Sequence, residues 1–294
     1  MGSTSLDGMV GHLLGLLVTA GDYALAIQPV SAGSADAGTS VQNFLEVATL
    51  ARFPQLRFFG AEHARSLNQK YFPADAAIAV HLDPVNGAFL YRQQRSGWDI
   101  LLGIADHGRL VAAISYMPAR GRFYLALRER GALTGERRHP RLDDMVPLHT
   151  RPGARHCLTC QTPEINERLR GEFACFDLLR DDDPARGLDN LNEIYGGRLA
   201  AFACRDGDCL DWGAAAFIAV QAGGRATRLD GSPVSLFDDF DPQAPADLLV
   251  AADAHDPCRH HGAPAGLSCS GGGRKPPQSS STRAAHSSAV YSCR

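Results

Sequence analysis

The run from Ala76 to Leu82 is short, almost wholly apolar, and stops at Asp83-Pro84. A run of that length, bounded by a turn signal, suits a buried strand rather than a helix, and it delivers a carboxylate at its end. Chains of mixed α/β class place chemistry at such strand ends. Trp98–Ala105, Arg109–Tyr116 and Phe123–Leu127 follow, separated by His107-Gly108 and by Pro118 to Gly121. That spacing predicts an antiparallel meander, with Gly131 and Gly135 ending the unit.

Ahead of this sheet, Leu13, Leu17, Ala20, Ala24 and Ile27 recur at helical spacing. Val41, Leu45, Ala48 and Ala51 do the same in a second helix opened by Thr39 or Ser40, and Ser31 to Ser40 reads as a flexible Gly/Ser/Ala loop. The second half mixes elements again. Helices are expected from about Pro163 to Leu179, from Leu188 to Tyr195 before Gly196-Gly197, and from Asp211 to Gly223-Gly224. Strands are expected at Arg198–Cys204, Ala226–Leu229 and Leu248–Ala252, the last two joined by a loop containing Asp230-Gly231. The core is expected to end near His255. Residues 256–294, rich in Gly, Ser, Pro, Arg and His, read as a disordered tail.

With 45% hydrophobic and 21% charged residues, the chain has the balance of a globular protein with a substantial core. The net charge of -3, with scattered basic residues, argues against nucleic acid or an anionic membrane as the main partner. The apolar stretch Met9 to Ala20 lacks a positively charged leader, since no Lys or Arg precedes Arg52, and it is shorter than the ~20 residues of a membrane span. A cytoplasmic protein is the expectation. Eight cysteines in a chain of this size make no dense disulfide framework. The pair Cys157 and Cys160 has zinc or redox spacing but no matching second pair, so buried or loop thiols are the plainer reading.

Three segments each bring an acid to the edge of a predicted element: Phe59-Gly60-Ala61-Glu62-His63, Asp83-Pro84-Val85-Asn86-Gly87-Ala88, and Leu210-Asp211-Trp212-Gly213-Ala214-Ala215. Hard cations need oxygen ligands converging from separate parts of a chain, and a helix start at Asp211 favours a phosphate nearby. Singly, each has a bland alternative: a common Asp-Pro turn, an N-cap, a solvated Glu.

Together, in this order, the segments resemble the inositol monophosphatase superfamily, whose members carry Gly-Glu-Glu, then Asp-Pro-Ile/Leu-Asp-Gly-Thr/Ser, then Trp-Asp-x-Ala-Ala/Gly. Asp106-His107-Gly108-Arg109, Arg130-Gly131-Ala132, Gln221-Ala222-Gly223-Gly224 and Asp230-Gly231-Ser232-Pro233 match further family segments. The resemblance implies a layered αβαβα sandwich with an N-terminal lobe of about 1–150, a C-terminal lobe of about 151–255 and the site between them. It also implies a homodimer and a small phosphorylated ligand. Family members hydrolyse sugar or inositol phosphomonoesters with two or three Mg2+ ions. Carried over, Asp83, the Val85 carbonyl, Asp211, Glu62 and Asn86 are the candidate metal ligands, with Gly87, Ala88 and Gly187 facing phosphate or substrate.

The departures fall on the chemistry. Ala61 replaces the first Glu of Gly-Glu-Glu, Asn86 the second Asp of the Asp-Pro motif, and Ala88 the Thr/Ser that orients water; Gly38 stands at an upstream acidic position. Cys204 stands where the family has a Glu that contacts inositol. Losing two formal charges weakens a Mg2+ site, and losing the water-orienting pair removes nucleophile activation, so no catalytic residue is carried over. The expectations are a Mg2+-dependent phosphatase whose activity is weakened or lost or, alternatively, a catalytically inactive member acting as a binding or partner protein. A separate zinc or redox protein built on Cys157, Cys160, Cys204 and Cys209 is the weakest reading.

Overall fold

The computed structural model describes residues 5–30, 34–62, 66–151, 153, 155–177, 180–181 and 185–252. The expectations for 256–294 and for a core ending near His255 lie outside them. Helix α1 (Leu6–Ile27) begins at Ser5, whose Oγ accepts from Gly8 N at 3.2 Å, and buries Met9, Val10, Leu13, Leu14, Leu17, Ala20 and Ala24 along one stripe. By length and composition this helix could cross a membrane; here its stripe packs with the first sheet. Gly21 is required where the helix meets that sheet, because a Cβ would lie 2.6 Å from the Tyr116 ring. Helix α2 (Ser34–Arg52) starts earlier than expected. The segment from Ser34 to Ser40 is helical, which the sequence hid because its small residues offer no apolar period.

The first sheet runs in the order β1 (Arg57–Gly60), β2 (Ile78–Asn86), β3 (Asp99–Asp106), β4 (Arg109–Met117), β5 (Arg122–Leu127), β6 (Gly131–Glu136) and β7 (Val146–Pro147). β1 pairs parallel with β2, and every later pair is antiparallel, as a meander requires. Gly131 and Gly135 belong to a further strand rather than ending the unit; Gly131, at φ 77°, only turns the chain into it.

The second sheet has the order β11 (Arg225–Thr227), β12 (Pro245–Ala251), β10 (Ala201–Asp208), β8 (His156–Cys160) and β9 (Ala174–Asp177). The helix expected over 163–179 is α4 (Pro163–Leu169), followed by β9. Ile165, Leu169, Phe173 and Phe176 keep a helical spacing in sequence, but Gly171 at φ 100° breaks the chain out. The helix expected over 188–195 is one 3-10 turn, Leu191–Ile194, with the Asn190 side chain accepting from Asn192 N.

Three apolar clusters define the layers. α1 and α2 pack on one face of the first sheet. Helix α5 (Ala214–Gln221) lies between the sheets, in one apolar cluster with Leu101, Ala113 and Ala126 of the first and Phe202, Leu248 and Val250 of the second. α4 covers the outer face of the second sheet through Ile165 and Leu169. The order helix, sheet, helix, sheet, helix is the αβαβα sandwich, an α/β fold of two sheets divided between Pro147 and His156.

Candidate active site

β2 does not stop at Asp83. It continues to Asn86 with a register shift between the two: Asp83 stays paired with Leu101 and Asn86 with Asp99, while Pro84 and Val85 bulge out of the ladder between them. Asp83 Oδ1 accepts from Val85 N at 3.0 Å, which fixes the turn around Pro84. Gly87 then takes φ 83°, a left-handed conformation open to glycine, and starts the short helix α3 (Ala88–Arg92). From the second half, Asp208 caps Leu210 N at 2.8 Å and opens a π turn, Cys209–Gly213, that carries Asp211 against β2 and β3. Such π turns recur at functional sites.

Asn86, Gly87 and Asp211 line one cavity together with Asp99, Asp189 and Asn190; its volume is about 50 Å³. The other candidates lie around it rather than in it. Asp83 is buried and close enough to Asp99 for their charges to repel. Val85 is buried in the turn, and Ala88 in the first turn of α3. Glu62 is held through its N–H on Gln42 Oε1 at 2.8 Å. A Cβ on Gly38 would sit 3.2 Å from Glu62 Oε1, so the Glu62 carboxylate occupies the space an acid at position 38 would fill. Gly187, at φ 57°, lies against the Arg198 guanidinium. Cys204, at the position of the family's inositol-contacting Glu, is fully buried with its thiol on the Ala246 carbonyl at 3.2 Å.

Sequence reasoning missed the group at the centre. Asp99 opens β3 and is 3% exposed. Asn86 Nδ2 donates to its Oδ1 at 3.0 Å, Asn190 Nδ2 reaches the same oxygen at 3.4 Å, and the Ser115 hydroxyl donates to Oδ2. Asn192 Nδ2 donates onward to Ser115 Oγ at 2.7 Å. Burial pushes the Asp99 carboxyl up to about 7; the Asp83 charge adds to that, while the bonds from Ser115, Asn190 and Asn86 oppose it. An Asp beside Trp98 at the head of the apolar run 100–105 was the signal, since a charge there needs partners from elsewhere in the fold.

A second lattice closes the cleft beside it. Arg120 donates to Glu193 Oε1 and to Asp189 Oδ1, the latter at 2.9 Å, while Arg95 and Arg198 reach Asp189 and Glu193 at 3.4 Å each. Asn190 Nδ2 also donates to the Gly97 carbonyl at 2.8 Å. A Cβ on Gly97 would lie 2.3 Å from the Asp189 carboxyl carbon. The segment from Asp189 to Glu193 is therefore seated directly on the first sheet.

A centre of two or three Mg2+ ions needs several converging carboxylates. Asp83, Asp211 and Glu62 carry carboxylates, but of these only Asp211 lines the cavity. Asn86 supplies an uncharged amide already bonded to Asp99, whose own two oxygens are engaged by three side chains. Among the described residues, no group of three or more His, Cys, Asp or Glu side chains could hold a metal ion. The donor set does not fit a multi-ion centre.

A family model described as the inositol monophosphatase family matches residues 33–261, most of the chain. The chain belongs to the inositol monophosphatase family. No curated protein sequence matches it. Among solved structures, the extragenic suppressor protein suhB of Bartonella henselae superposes with a TM-score of 0.61 at 16% identity, covering 83% of this chain and 93% of that one. An IMPase of Thermotoga maritima gives 0.61 at 16% identity over 82% and 90%. A staphylococcal IMPase-II gives 0.59 at 19% over 83% and 88%. At these identities the structures establish the shared fold alone.

Proposed function

We propose that this inositol monophosphatase family protein keeps the scaffold of a Mg2+-dependent phosphomonoesterase but not its working metal centre, so that hydrolysis is weakened or lost. Its role is then to bind a small phosphorylated ligand or a partner protein, in the cytoplasm. The observation that carries this reading is the Asn86–Asp99 pair: the amide at the Asp-Pro motif is bonded to a buried carboxyl instead of offering a second charge to a cation. Ala61 and Ala88 support it, because neither can hold an attacking water. A cavity of about 50 Å³ supports it too, being far smaller than the ~300 Å³ or more of ordinary ligand pockets.

One observation favours residual binding of phosphate. Gly87 and Asp211 still line the same cavity, and IMPase-II chains of this fold have been solved with inositol monophosphate and with 2'AMP. A small phosphorylated molecule is therefore the ligand class to test, and the 189–193 segment would have to lift from the first sheet to admit it.

The test is the combined variant Ala61→Glu, Asn86→Asp, Ala88→Thr, assayed for phosphate release from sugar and inositol phosphates with Mg2+. A gain of turnover over wild type is expected if these positions are what silences the scaffold. Wild type already turning over rapidly at low Mg2+ would overturn the reading.

A further inference from the structure

Cys157 and Cys160 have the spacing of a helical or knuckle motif, but the chain places them on the extended strand β8. Side chains three apart on a strand face opposite ways. Cys157 joins the outer cluster beneath α4, and Cys160 the inner cluster around α5. Each thiol therefore loses the other and gains a different neighbour. In the β8/β9 register Cys157 is paired with Cys175, and in the β8/β10 register Cys160 is paired with Cys204.

Residues directly paired on adjacent strands have Cα atoms ~5 Å apart, inside the ~4.4–6.8 Å that a disulfide spans. The two pairs differ in access. Cys160 and Cys204 are both buried, and the Cys204 thiol is spent on the Ala246 carbonyl. Cys175 is half-buried on β9, the edge strand of its sheet, while Cys157 behind it is fully buried.

We propose that Cys175 and Cys157 form a redox-active dithiol that a low-molecular-weight disulfide converts into a cross-strand disulfide. The Cys175 thiolate attacks one sulfur of the small disulfide, forming a mixed disulfide and expelling one small thiolate. The Cys157 thiol passes its proton to the expelled small thiolate, and its sulfur then attacks the Cys175 sulfur and expels the second small thiolate, which takes up a proton from water. Two protein thiols are oxidised and one small disulfide is reduced to two thiols. Geometry supplies the direction of attack: Cys175 is the more accessible member, and Cys157 resolves from behind. The hydrogen bond between the two thiols, which holds Cys175 below the ordinary thiol range against the effect of burial, favours the attacking thiolate. The product would tie edge strand β9 to β8 alongside their short ladder, the bond from Thr159 Oγ1 to the Phe176 carbonyl, the Asp177 carboxylate on Gln161 N and the His156–Phe176 ring contact.

The test uses the full chain, reduced and then incubated with glutathione disulfide without oxygen, and maps disulfides by peptide mass spectrometry. A linked Cys157–Cys175 peptide is expected, with Cys160 and Cys204 still alkylatable after unfolding. Cys157→Ser should instead accumulate glutathione on Cys175, and Cys160→Ser should leave the link intact. Wild-type protein in which Cys175 ends as a stable mixed disulfide, or stays reduced while tail cysteines oxidise, would overturn the proposal without depending on how any variant folds.

Discussion

Replacing Asp99 by Asn tests the buried polar centre. In the unfolded chain this carboxyl ionises near 3.8, and in the folded chain near 7. Its folded value is raised, so its contribution to stability is fully present below the unfolded value and is lost as pH rises through about 7. Between pH 5.5 and 8.5 the unfolded carboxyl is ionised throughout, while the folded one gives up its proton. Integrated over that interval, wild type should lose about 2 kcal/mol from this group, and above pH 8 the full deficit reaches about 4 kcal/mol. Asn copies the protonated acid: its oxygen can keep the bonds from Asn86 and Asn190, and its amide can donate to Ser115. Urea unfolding of both proteins in chelator-containing buffer, followed by the fluorescence of the buried Trp98 and Trp212, reads the difference. The gap between variant and wild type should move in favour of Asn by about 2 kcal/mol from pH 5.5 to 8.5. A gap that stays constant with pH would mean that Asp99 does not change its ionisation on folding, and would refute the reasoning.

Other outcomes follow from the same geometry. Arg120→Ala leaves the Asp189 and Glu193 carboxylates, each under 10% exposed, with only the longer pairs to Arg95 and Arg198 among the described residues, and should cost about 2 kcal/mol in chemical denaturation; Arg120→Lys should recover only part of it, losing the forked geometry. Burial, with the Arg57 charge, holds His81 down to about 4, while Asp241 pulls the other way. Because this folded value is depressed below 6.5, the contribution is present above pH 6.5 and lost as pH falls toward 4. His81→Phe should therefore be spared about 3 kcal/mol of acid destabilisation relative to wild type. Gly97→Ala should lower the melting temperature by several degrees, because its Cβ meets the Asp189 carboxyl group and pushes it away from Arg120 and Arg95.

The parts of the fold readable in sequence were those with a clean period or a clean stop. β2 showed itself as an apolar run into Asp83-Pro84, α1 as a regular stripe, and the meander as strands parted by Gly and Pro turns. β9 was read as helix because Ile165, Leu169, Phe173 and Phe176 hold a helical spacing that only the left-handed Gly171 interrupts. β8 was missed because His156-Cys157-Leu158-Thr159-Cys160 has too few aliphatic residues to announce a strand. At the site, motif order identified the loops carrying Asp83 and Asp211. It could not reveal that Asn86 answers to Asp99, or that Gly38 makes room for Glu62, since both pairings depend on contacts between distant segments. The buried run Gln42, Glu46 and Thr49 was likewise illegible. Two of the three, Gln42 and Glu46, anchor Glu62, Ser66 and Asn68 from within a helix that reads as ordinary.

The central claim, that the scaffold lacks a working metal centre, is tested most directly by phosphate release from purified wild-type protein across sugar, inositol and nucleotide phosphates as Mg2+ or Mn2+ is raised from zero to high millimolar. The account predicts no metal-dependent turnover above the protein-free background, and no difference on Asp83→Asn. Saturable turnover at low metal that Asp83→Asn abolishes would contradict it.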